Sequence, residues 1–366
     1  MFLLRCRLWL GIIFICMSLG LPSVAQTSFL PASNLYVRSV FQDHPISSSI
    51  VSAAAMIALW YTYVQVTSKN KDVKVKLVEF NPKNSDAQIR PSYLFAAGIA
   101  ETHDQAWWYA KKTDDLPYYR YNNLVPALPY TMDGRIFTYD YPDTTSWFWR
   151  VNWTQTSLGQ WNEVAGFKNA FDQAIAHTHA PQNKYFNLNG MSRGATTILN
   201  FMGLHGNKSQ YTSRVKSLIV ESPFATTKDL AKNMLSKIYL DQVPGMSTLA
   251  HSLVSVAFWQ HDTAGECAID AVENIPTDVP IMLVCSKEDT VVPASSTIAL
   301  YKKLRATGHN KVHIFVADHG IHGRILHDKD GVRYQNVVQA FYKKYGLHHN
   351  AQLAELGQVD FDACQP

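Results

Sequence analysis

The stretch KYFNLNGMSRGATTILNFMG, Lys184 to Gly203, decides how the rest of the chain is read. Its first third reads as a strand. Gly190-Met191-Ser192-Arg193-Gly194 then sets a serine between two glycines, and the residues from Ser192 to Gly203 read as a helix. A strand that runs straight into a helix makes so tight a turn that flanking side chains would strike its neighbours, which gives the glycines a physical role. The turn presents the Ser192 hydroxyl at a helix N-terminus, where free N–H groups and the helix dipole favour developing negative charge. The same letters also suit a plain glycine-bounded turn with a capping serine. A serine hydroxyl is a poor nucleophile without a base, so a histidine and a carboxylate elsewhere must decide between the two.

Working outward, the apolar strand PIMLVCS (280–286) ends in Lys287-Glu288-Asp289-Thr290-Val291-Val292-Pro293. Asp289 thus stands just past a strand C-terminus, where sites collect in parallel sheets. Glu288 beside it and Glu221, at the end of the strand VKSLIVES (215–222), are the alternative carboxylates. After the strand KVHIFVA (311–317) comes ADHGIHGRILH, in which His319 and His322 compete as the base. These two with His327 invite a metal reading, but HExxH is absent and the cysteines are scattered, so neither metal nor cofactor is expected.

The flanking chain alternates strand and helix. Strands are expected at 92–98 and 134–142, a helix carrying Trp107 and Trp108 between them, a long helix over 157–177, and helices over 294–307 and 332–345. Such alternation predicts a mostly parallel sheet covered on both faces. Ahead of it, WYTYVQVTS and VKVKLVEF on either side of KNKD predict a hairpin of strands at 60–67 and 73–80, an antiparallel edge. Residues 224–274 read as mostly helical, and Met234, Leu235, Leu249, Leu253 and Phe258 suggest a cap over the site. Tryptophans and tyrosines crowd 107–161, including Trp147, Trp149, Trp153 and Trp161, as core packing or as walls of an apolar pocket.

The outer limits narrow the class. Residues 1–25 combine Arg5 and Arg7, an apolar run and a small-residue end before Gln26, the three regions of a secretory leader. Its removal lowers the formal charge from +4 to +2, which gives no basis for a nucleic-acid partner. It leaves Cys267, Cys285 and Cys364, too few for a disulfide scaffold, with one Cys267–Cys364 bridge open. The uncharged stretch Pro45–Ser68 starts with Ser47, Ser48, Ser49 and Ser52 and turns β-branched and aromatic, so no stable membrane span is expected after leader cleavage. Residues 26–366 are expected to form one domain, secreted or periplasmic. Asn152-Trp153-Thr154 and Asn207-Lys208-Ser209 are glycosylation sequons.

Taken together, the starting hairpin, GMSRG on its turn, the acid in KEDTVVP, and the histidine loop before the final helix over 332–345 resemble the α/β-hydrolase superfamily over roughly residues 60–345, in the order Ser192, Asp289, His322. GMSRGA and the acid loop are similar to those of its esterase and serine-peptidase branches. The resemblance implies an α/β-hydrolase fold and a Ser192–His322–Asp289 triad that cleaves a carboxylic ester through an acyl-enzyme, with a small-molecule ester or peptide as substrate. It also implies an oxyanion hole built from the backbone N–H of Arg193 and, in the loop Ala97-Gly98-Ile99-Ala100-Glu101, that of Ile99. Many relatives carry His-Gly in that loop, and this chain keeps only Gly98. A peptidase on the same triad and a non-catalytic binding protein on the same scaffold are the alternatives.

Overall fold

Alternation along each strand sets the two faces of the sheet. In the computed structural model, which describes residues 73–80, 91–111, 129–144, 152, 155–178, 185–258, 260–263 and 265–364, odd and even strand positions feed separate cores. Leu94, Phe137, Leu188, Leu218, Leu283 and Cys285 point into one, and Tyr93, Phe95, Ile136, Ile219, Met282 and Val284 into the other. Chain contacts divide the protein into residues 1–67 and Ser68–Pro366, and the fold is that of the second unit.

Seven strands form it: β1 (Leu77–Phe80), β2 (Ser92–Ala96), β3 (Arg135–Tyr139), β4 (Phe186–Met191), β5 (Val215–Glu221), β6 (Ile281–Ser286) and β7 (Val312–Ala317), in the order β1-β3-β2-β4-β5-β6-β7. All neighbours are parallel except β1 and β3. The antiparallel edge is therefore present, formed by β1 on β3. The strand expected at 60–67 lies outside the described residues, as do the leader and the stretch Pro45–Ser68. Because β2 is followed in sequence by its neighbour on one side and then by β4 on the other, the strand order reverses between β2 and β4. A crevice opens there at the carboxyl ends of the strands. The register pairs Ala96 with Gly190 and Met191 with Glu221, so these ends lie level.

Helices α1 (Trp161–His177), α2 (Arg193–His205) and α3 (Ala294–Ala306) face the first core; α4 (Gly331–Lys344) faces the second. Val164, Phe167, Phe171 and Ala174 of α1 are buried at helical spacing, and Phe167 and Phe171 pack on Phe201 of α2. The expected helix at Trp107 and Trp108 is a single turn, Ala106–Tyr109, in which Trp107 packs on Phe80.

One expectation fails and one open possibility is not realised. The chain does not end its series at 345: a further helix, Ala351–Ala363, lies against α4 and buries Ala354, Gly357 and Phe361. A Cβ at Gly357 would stand 2.1 Å from the Asn336 carbonyl, so small residues carry this contact and no apolar stripe announces it. Nor are Cys267 and Cys364 bridged; all three described cysteines are free. Cys364 packs with the second core, whereas Cys267 opens the short helix Ala268–Ala271, whose Ala268 packs with the first core. Among the described residues no helix is long and apolar enough to cross a membrane.

Candidate active site

The turn between β4 and α2 is as tight as the two glycines imply. Ser192 has φ 55° and ψ −118°, a conformation that non-glycine residues rarely adopt and that costs on the order of 1–3 kcal/mol. The surroundings hold it there: its N–H donates to the Glu221 carbonyl at 2.8 Å, and its carbonyl accepts from Thr196 at 3.0 Å. A Cβ on Gly190 would meet Ala195 N at 2.9 Å, and one on Gly194 would meet the Ala96 carbonyl at 2.1 Å. Larger side chains at either position would push α2 off the sheet. Ala100, Leu158 and Ser222, which border the same crevice, also have positive φ. Four of the five described non-glycine residues of this kind thus gather at one place, as strain does at functional sites.

His322 stands between the serine and the acid. Its Nε2 is 2.8 Å from Ser192 Oγ and its Nδ1 is 2.8 Å from Asp289 Oδ2. The Asp289 carboxylate is fully buried as a side chain, and His322 is 15% exposed. Asp289 Oδ1 accepts the N–H groups of Val291 and Val292 at 2.8 and 2.9 Å, and Oδ2 also accepts the Ser222 hydroxyl at 2.8 Å. Burial pushes the Asp289 carboxyl up, but the bonds from His322, Val291 and Val292 outweigh it and hold the group below its ordinary value. An ionised Asp289 accepts at Oδ2, so Nδ1 of His322 carries the proton and Nε2 is free to accept from the serine.

The competing residues are sorted by the same geometry. His319 bonds Glu288 Oε1 at 3.1 Å in an exposed pair, and the Glu288 carboxylate also accepts Gly320 N–H at 3.2 Å. Together with the His319 N–H on Asp330 Oδ2 at 2.8 Å, this pair shapes the loop that carries His322. Glu221 turns its side chain toward Tyr109 and Tyr334 of the second core, and the His322 ring bonds Asp289 and Ser192 instead. His327 packs edge-on to Trp108. No group of three or more His, Cys, Asp or Glu among the described residues could hold a metal ion.

Beside the serine, the Arg193 N–H opens α2 and so has no carbonyl four residues back. In the loop after β2, the Gly98 N–H is taken by Gln105 Oε1 at 2.7 Å. The Ile99 N–H has no partner among the described residues and is free to donate.

A third apolar cluster, apart from both cores of the sheet, takes in Ile99 of the loop after β2. Leu158, Phe224 and Val292 are buried in it, with Ile99, Leu230, Val254 and Phe258 packed around them. Leu230 belongs to α5 (Thr227–Ser236) and Val254 to α6 (Met246–Ala257), the helical segment between β5 and β6. That segment gives Leu230, Val254 and Phe258 to this cluster, whereas Met234 and Leu249, expected to face the site, are 51% and 52% exposed. Sequence reading also missed Ser222, Gln105 and Phe224. Ser222 and Phe224 follow a strand end and were findable by that position; Gln105 carries no local signal. Of the crowded aromatics, Trp147, Trp149 and Trp153 lie outside the described residues.

The sheet and the elbow give the chain an α/β-hydrolase fold, with the histidine set between serine and acid. More narrowly, residues 260–348 match the model of the prolyl oligopeptidase family. Among solved structures, an acylaminoacyl peptidase in complex with Z-Gly-Gly-Phe-chloromethyl ketone is 13% identical at a TM-score of 0.50, over 79% of this chain and 42% of that one. The uncomplexed acylaminoacyl peptidase of Pyrococcus horikoshii is 12% identical at 0.50, over 77% and 41%. An esterase of Pyrococcus furiosus is 15% identical at 0.47, over 74% and 91%. The chain thus spans about two fifths of the length of the acylaminoacyl peptidases. No curated protein sequence matches it.

Proposed function

We propose that the protein cleaves carboxylic esters with an apolar acyl group, through Ser192, His322 and Asp289. The observation that carries this is the unbroken hydrogen-bond chain Ser192 Oγ–His322–Asp289, two contacts of 2.8 Å anchored on a strained elbow. Ser192 Oγ attacks the acyl carbon while His322 Nε2 takes its proton. The tetrahedral oxyanion is held by the N–H groups of Arg193 and Ile99. His322 then gives the proton to the departing alcohol. Water, deprotonated by the same nitrogen, attacks the acyl-enzyme, and Ser192 leaves with the proton returned to it. Asp289 keeps Nδ1 protonated and stabilises the imidazolium at each stage. The cluster of Ile99, Leu158, Phe224, Val292 and Phe258 supplies an apolar wall for the acyl chain.

A peptidase reading has one observation in its favour, the match of residues 260–348 to the prolyl oligopeptidase family. Paired assays on p-nitrophenyl acyl esters and aminoacyl p-nitroanilides separate the two. Preferential turnover of acyl esters supports our reading, and preferential turnover of the anilides overturns it. Labelling by a fluorophosphonate, mapped to Ser192 and absent in Ser192→Ala, tests the nucleophile itself. The leader-like residues 1–25 support an exported enzyme, and N-terminal sequencing of the exported protein should begin at Gln26.

A further inference from the structure

The residue after the nucleophile has an unusual side chain for its position. Arg193 does not reach out to solvent; its side chain is 1% exposed and runs beneath the elbow. There Nη1 donates to Asp143 Oδ2 at 2.5 Å and stands 3.7 Å from Glu163 Oε1, and the guanidinium lies 4.1 Å over the Tyr141 ring. Glu163 is itself held by Ser157 and Thr156. Burying a guanidinium is costly, and these two carboxylates offset that cost. An anchor of this kind needs only Nη1. The other arm, Nη2, donates to the Gly98 carbonyl at 3.3 Å.

That contact matters because of what shares its peptide unit. In a trans peptide the C=O of one residue and the N–H of the next point to opposite sides. Turning the Gly98 carbonyl toward Arg193 therefore turns the Ile99 N–H away from it. Gln105, by taking the Gly98 N–H at 2.7 Å, fixes the preceding peptide as well. Two side chains thus pin the orientation of the Ile99 N–H, in the loop where this chain keeps only Gly98 of the His-Gly pattern. We propose that the Arg193 side chain is a positioning residue that aims the Ile99 N–H at the oxyanion, with Gln105 as its second strut. This rests on the hydrolase reading above. One residue then serves both halves of the oxyanion hole, giving the first donor from its backbone and orienting the second through its side chain.

The test compares Arg193→Lys, Gln105→Leu and Gln105→Glu with the wild type on a p-nitrophenyl acyl ester, with active sites titrated. Binding of an alkyl trifluoromethyl ketone, whose adduct with the serine bears an oxyanion, is measured alongside thermal unfolding. Lysine keeps the cation near Asp143 but lacks the planar fork that spans both Asp143 and the Gly98 carbonyl. Arg193→Lys should lower kcat roughly 10- to 100-fold, with KM within about twofold, and weaken the ketone by a similar factor. Gln105→Leu should lower kcat about 3- to 30-fold in the same pattern, and Gln105→Glu, which keeps the acceptor, should stay within about threefold of wild type. Folded variants with wild-type kcat and ketone affinity would overturn the proposal, as would a loss confined to thermal stability or to KM. A wild-type protein that neither labels at Ser192 nor turns over would instead end the underlying reading, and this one with it.

Discussion

The ends of β5 and β6 carry two buried carboxylates on neighbouring strands, and they could hardly be treated more differently. Asp289, past β6, receives four hydrogen bonds, from His322, Ser222, Val291 and Val292, and is held below its ordinary pKa. Glu221, the last residue of β5, is 1% exposed, and among the described residues the phenols of Tyr109 and Tyr334 approach it without completing a well-aligned hydrogen bond. Burial pushes it up to about 8, against partial relief from the nearby Tyr109 and Tyr334 phenols, and the charge of Asp289 adds to the rise. Strand ends gather functional groups, but the sheet face a side chain takes decides its state. Beside the histidine one carboxyl is held toward its anion; among the phenols burial pushes the other toward its neutral acid.

The sharpest way to break this contrast is to remove the groups on the Asp289 side. Ser192→Ala and His322→Ala should each lower kcat on an ester by a factor on the order of 10⁶ while leaving the fold intact by circular dichroism. Asp289→Asn, which alters the tautomer of His322, should cost roughly 10⁴. On the other side, Glu221→Gln and His319→Ala should stay within about threefold, because neither group touches the serine or His322. If Glu221→Gln cost as much as Asp289→Asn, the acid would be misassigned. If His319→Ala abolished turnover and His322→Ala did not, the base would be.

A smaller effect comes from the third apolar cluster. Phe224→Ala and Phe258→Ala each remove an aromatic ring from the residues packed with Ile99. One methylene in such a pocket is worth about 1–3 kcal/mol, so kcat/KM should fall roughly 10-fold or more for acyl chains that fill the wall. Acetyl esters should change little. An equal loss across a chain-length series would show that these rings support the fold rather than contact the acyl group.

Where the chain could be read from its letters, the signal was backbone geometry. Gly190, Gly194 and the run from strand to helix specify a turn that few conformations satisfy, and the strand ends before Asp289 and His322 follow from short, nearly continuous apolar runs. The unread parts depend on partners distant in sequence. Nothing near Arg193 announces that it will meet Asp143, fifty residues away, or that its other arm will reach Gly98. The choice of Asp289 over Glu288 and Glu221 likewise turns on which way each side chain faces, and three adjacent or equivalent positions leave that open. The last helix, Ala351–Ala363, was missed because a glycine and an alanine make much of its contact with α4.

The two carboxylates should also differ in how they tie stability to pH, and here the sign can be worked out. Unfolded, Glu221 titrates near 4.5; folded, near 8. Between those values the folded state holds a proton that the unfolded state has released, so stability falls as pH rises through this window, by at most about 1.4 kcal/mol per unit. Asp289 works the other way: its folded value is depressed, so its contribution is present above the unfolded pKa and is lost as pH falls through the folded one. Glu221→Gln keeps the shape and removes the titration. Chemical unfolding of this variant and the wild type at pH 5 and pH 8 should give similar stabilities at the lower pH and a more stable variant at the higher. A difference between the two proteins that does not change with pH would mean that Glu221 is not the neutral acid its surroundings require.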